Sequence, residues 1–86
     1  MHFEGALIKE QNVTFAIVIV KPEVLNYSTR ITDARNQFGR YFPRVPLILM
    51  SQDSRGTPTY QGRPDIVRFL ANVNPSRIPW KRYSLN

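Results

Sequence analysis

Two largely apolar runs, residues 13–20 and 45–50, constrain this chain more than any other feature. Both carry β-branched residues, and neither shows the in–out alternation of a strand with one wet face. A strand that is apolar on nearly every side chain must be covered on both faces. That places each run inside a layered α/β structure.

The segment between the runs reads as a helix. Ser28 or Thr29 is suited to cap it, and Ile31, Ala34, Phe38 and Phe42 recur at spacings of three and four. The stripe predicts a helix reaching about Tyr41, with Gly39 weakening its last turn and Pro43 forbidding easy continuation. Two buried strands joined by a helix predict a right-handed βαβ unit with a parallel pair.

Residues 6–11 are predicted as a short helix, because they are good helix formers and Asn12 suits the left-handed position that follows one. Asp53-Ser54-Arg55-Gly56 reads as a turn, and residues 57–61 as an antiparallel edge strand that tolerates Pro58. Pro64 suits the first position of a final helix, and Asp65 is favourable against its dipole. Ile66, Val67, Leu70 and Val73 give that helix an apolar face, and Asn74-Pro75 stops it. The predicted order is α-β-α-β-β-α, a small mixed three-stranded sheet with flanking helices. One domain spans residues 1–86, with a core over 6–73 and a tail over 74–86.

Composition excludes several chemistries. With no cysteine among 86 residues, the chain has no disulfide, thiolate nucleophile or Cys-ligated metal site. Its single histidine, His2, leaves the usual general base and nitrogen metal ligand nearly absent. Ser51, Asp53 and Ser54 lie in a turn without a nearby histidine or a nucleophile elbow, and the acids are too scattered to nominate a metal site. The expectation is a protein that is not an enzyme and needs no cofactor or metal. The longest apolar run, residues 15–20, is far short of the roughly 20 residues that span a bilayer. Glu4, Lys9 and Glu10 interrupt any signal-like stretch, so a cytoplasmic location is expected. Net charge is +6, and nine of the twelve basic residues are arginines, whose planar fork suits phosphate or carboxylate partners.

Three segments resemble parts of the glutaredoxin and thioredoxin-like family. Leu7-Ile8-Lys9-Glu10-Gln11-Asn12-Val13-Thr14-Phe15 resembles the end of its first helix and the start of its second strand. Arg44-Val45-Pro46 before the 47–50 run resembles its Thr-Val-Pro segment, where the proline is cis. Gly62-Arg63-Pro64-Asp65-Ile66 resembles the glycine-then-acidic turn that starts its last helix. The resemblance covers residues 6–73 and implies a domain lacking the family's first strand and Cys-containing loop. It further implies that the 13–20 and 45–50 strands pair directly, or that another chain completes the sheet. An exposed apolar strand edge would favour a homodimer.

Two sets of residues follow as candidate sites. Val45 and Pro46 could present backbone to an extended peptide, or Pro46 could simply set the start of a core strand. Gly62, Arg63 and Asp65 could hold an anion at a helix start, or Asp65 could be an ordinary first-turn acid. The second set is basic. Arg63, Arg68, Arg77, Lys81 and Arg82, with Trp80 as a stacking face, could bind nucleic acid. Alternatively, Ile78 and Trp80 fold back to cover an open face of the core. The leading expectation is a non-catalytic binding or assembly module that holds a protein segment. A small basic nucleic-acid-binding protein is the alternative.

Overall fold

The computed structural model describes residues 1–10 and 12–85. Five strands form one mixed sheet in the order β4-β3-β2-β1-β5. They are β1 (His2–Glu10), β2 (Val13–Ile19), β3 (Leu47–Gln52), β4 (Pro58–Gln61) and β5 (Lys81–Ser84). Helix α1 (Ser28–Gly39) joins β2 to β3, and α2 (Pro64–Leu70) follows β4. Short 3-10 turns cover Pro22–Asn26 and Pro75–Arg77.

The central βαβ unit forms as its sequence dictates. β2 and β3 pair in parallel, with Ala16 opposite Leu47 and Ile19 opposite Met50. Successive side chains alternate faces. Phe15 and Ile17 of β2, with Ile48 and Met50 of β3, meet Ile66 and Leu70 of α2. Ala16 and Val18, with Leu47 and Leu49, meet Ala34 of α1 and Phe42 beyond it. One helix on each face is the reason both runs are largely apolar. Ile17, Val18, Ile48 and Leu49 are fully buried, and each such side chain contributes on the order of 1.5–3 kcal/mol.

The three-stranded, thioredoxin-like order α-β-α-β-β-α is overturned at both ends of the chain. Residues expected as a helix over 6–11 belong to β1, which forms an antiparallel hairpin with β2 from Gly5↔Val18 to Glu10↔Val13. Gln11, the last of them, lies outside the described residues. The segment does contain good helix formers, but pairing with an already buried strand outweighs that weak intrinsic preference. Asn12 does adopt a positive φ of 68°, in a hairpin turn rather than behind a helix. Gly5 has a specific reason to lack a side chain. A Cβ there would lie 2.9 Å from the Ile17 carbonyl oxygen and 3.5 Å from the Phe42 ring.

The tail supplies the fifth strand. Lys81–Ser84 pairs antiparallel with residues 2–5 of β1, placing Tyr83 beside Phe3 and Arg82 opposite Glu4. β2 therefore has β3 on one side and β1 on the other. The exposed edge that motivated a homodimer is occupied by the chain's own N-terminal strand. The Val45–Pro46 peptide is trans, unlike the cis proline the resemblance implied.

Candidate functional site

Ile78 is buried, and Trp80 packs with it against the α2-side core. The Trp80 indole nitrogen donates to the Pro75 carbonyl at 3.0 Å. The aromatic face proposed for base stacking thus lies mostly against the protein. Arg77, Lys81 and Arg82 remain exposed around it.

One member of the first set, Gly62, lies against a side chain not singled out in the sequence. Arg35 of α1 reaches between β3 and β4. Its Nη1 donates to the Leu47 carbonyl at 2.7 Å, and its Nη2 to the Gln61 carbonyl and Oε1 at 3.1 and 2.6 Å. No carboxylate faces this guanidinium among the described ion pairs, and partial burial lowers its pKa. Gly62 lies against the same group, where a Cβ would come 3.1 Å from Nη2 and 2.5 Å from Ile48 Cδ1.

Arg35 thus links Leu47, the residue after Pro46, to Gln61, the residue before Gly62. The Pro46 carbonyl accepts from the Ala16 amide at 2.9 Å, so it already serves the β2–β3 junction. Val45 packs on the α1-side core.

Arg63 and Asp65 pair with each other. Nε donates to Oδ1 at 2.7 Å and Nη2 to Oδ2 at 2.8 Å, with both side chains about half exposed. The fork of hydrogen bonds from Arg63 holds the Asp65 carboxyl well below its usual range, at about 2. The same contact raises the Arg63 pKa. Each side chain uses the other's charge, and Arg68 is exposed in the last turn of α2.

A groove of about 770 Å³ lies elsewhere, between α1 and the β1–β5 side of the sheet. It opens at the carboxyl end of β2, where Ile19, Val20 and Lys21 line it. Crevices at strand carboxyl ends are the usual binding places of open α/β sheets, and about 300–1,000 Å³ is a normal ligand-site volume. α1 contacts β3, and its Ala34, Gln37 and Phe38 line the groove.

Phe3, Ala34, Phe38 and Leu85 make its apolar lining, while Glu4, Lys21, Arg30, Asp33 and Arg82 bring charge to its rim. Aromatic rings cluster around Phe3. Phe3 lies 4.9 Å from Phe38, 5.1 Å from Tyr41 and 5.1 Å from Tyr83, the last pair stacked.

Of the candidate residues read from the sequence, only Arg82 lines this groove. Half of it was legible in the helical stripe that includes Ala34 and Phe38. The other half depended on Phe3, hidden by the helical reading of the segment beside it, and on Leu85, which looked like part of a tail. Among the described residues, no group of three or more His, Cys, Asp or Glu side chains is placed to hold a metal ion, and no helix is long and apolar enough to cross a membrane.

Comparisons with known proteins name no relative: no family model matches this chain, and neither does any curated protein or solved structure.

Proposed function

We propose that this chain is a non-catalytic binding module whose site is the groove between α1 and the β1–β5 side of the sheet. The observation that carries the reading is the groove itself, with its aromatic cluster at Phe3 and its charged side chains at a strand carboxyl end. The chemistry available there favours holding a molecule over transforming one. The groove is lined by carboxylates, a lysine, arginines and His2, with no serine, threonine or cysteine among its lining residues.

The test is a fragment screen read by amide chemical shifts on ¹⁵N-labelled protein. Binding at this site moves Phe3, Ala34, Gln37 and Phe38 together. Hits that cluster on the α2 face instead, around Ile66 and Phe69, would remove the groove as the site.

A nucleic-acid-binding reading keeps one specific support. Arg77, Lys81 and Arg82 are exposed and close in sequence, and none takes part in an ion pair among the described residues. Phosphate contacts by these residues predict affinity that falls steeply with salt. A salt titration of binding to single-stranded DNA and RNA separates this reading from the groove, whose apolar floor responds to salt only weakly.

A further inference from the structure

We propose that the groove selects a small amphiphile with one anionic head group, such as a medium-chain carboxylate. This rests on the groove being the binding site. Charge balance around the rim points to the sign of the head. Lys21, Arg30 and Arg82 face the groove, against Glu4 and Asp33. Glu4 and Arg82 sit opposite each other across the β1–β5 pair, so they offset one another. Asp33 follows Arg30 by three positions on α1, which makes them neighbours on the helix surface. Lys21 is left without an acidic counterpart on the rim.

None of these five side chains forms an ion pair among the described residues. Arg30 instead lies over the Tyr27 ring at 4.9 Å, which steadies the guanidinium without neutralising it. The rim therefore carries an excess of one positive charge with His2 neutral, on a chain of net charge +6. A single anionic head at the Lys21 and Arg30 end balances it.

The body of the ligand is set by the apolar surface. Ala34 and Phe38 lie four and eight positions beyond Arg30, so the wall runs about 12 Å along the helix. That length lies over Phe3 and beside Leu85, and it suits an unbranched or singly ringed apolar body. A polyanion is disfavoured because Glu4 and Asp33 would face its second charge.

The deciding experiment titrates the full chain with octanoate, octan-1-ol and octylamine, which share one tail and differ in the head. Amide shifts and calorimetry read the binding. Octanoate is expected to bind about tenfold more tightly than octylamine, because a carboxylate gains charge-assisted contacts that the amine loses. The K21Q/R30Q double variant is expected to erase that preference, weakening octanoate about tenfold more than octan-1-ol.

Gln37→Trp, at an exposed rim position, is expected to block all three without altering the melting temperature. If all three bind equally, or octylamine binds best, and Gln37→Trp still blocks them, selection for an anion is overturned and the groove stands. If no shifts appear around Phe3, Ala34 and Phe38, or Gln37→Trp changes nothing, the groove reading and this inference fail together.

Discussion

The Arg35 guanidinium donates to the Leu47 carbonyl at 2.7 Å while its second nitrogen reaches the Gln61 carbonyl at 3.1 Å. One helix side chain thereby ties α1 to the first residue of β3 and the last of β4. Arg35→Met keeps much of the apolar stem but leaves both half-buried carbonyls without these donors. The expected loss is about 1–3 kcal/mol in urea unfolding. Arg35→Lys should recover only part of it, since an ammonium lacks the fork that spans both acceptors. Equal midpoints for Arg35→Met and the parent chain would show the tie to be idle.

Gly62 is required by the same junction. Its φ is 153°, and a Cβ would sit 2.5 Å from Ile48 Cδ1 and 3.1 Å from the Leu47 carbonyl. Gly62→Ala is expected to destabilise by about 2–3 kcal/mol through backbone strain and overpacking. Gly39 provides the contrast. It lies in α1, and a Cβ added there would meet nothing within 4 Å, so Gly39→Ala should stabilise by about 0.5–1 kcal/mol. Thermal melts of the two variants should move in opposite directions.

The pattern of what could be read from the sequence follows from which interactions are local. The β2 and β3 runs announce themselves because both faces are buried, and the 31-34-38 stripe marks α1 by its own spacing. β1 carries no such signature. Ala6, Leu7, Lys9 and Glu10 favour a helix locally, and only the hairpin with β2 makes them a strand. Leu7 even remains 53% exposed, which blurs any alternation. β5 is decided at still longer range, by Tyr83 stacking on Phe3. The groove joins these non-local pieces, so Lys21 and Arg30 meet Phe3 and Leu85 only once the sheet exists.

Tyr60 offers a prediction with the opposite sign to most substitutions. Its hydroxyl is buried without a hydrogen-bond partner, and desolvation raises its pKa. The ring packs against the α2-side core. Tyr60→Phe removes an unsatisfied polar atom while keeping the ring, and should stabilise by about 0.5–1.5 kcal/mol. A clear loss of stability would mean that the hydroxyl is hydrogen-bonded in solution.

The Arg63–Asp65 fork predicts an acid-side effect with a defined window. The Asp65 carboxyl falls to about 2 in the folded chain, from an ordinary value of 3.8, chiefly because Arg63 hydrogen-bonds the charged form. A carboxylate favoured by the fold contributes stability above its unfolded pKa and loses it as pH drops through the folded one. The contribution is therefore fully present above about pH 4 and disappears toward pH 2. It should be small, since both side chains are about half exposed and water screens the pair. Asp65→Asn cannot titrate, so its unfolding midpoint should approach that of the parent as pH falls through this window. The carboxyl carbon shift of Asp65 gives the direct reading. A midpoint near 3.8 would mean that the fork does not persist in solution, leaving Arg63 free for the anion contacts considered from the sequence.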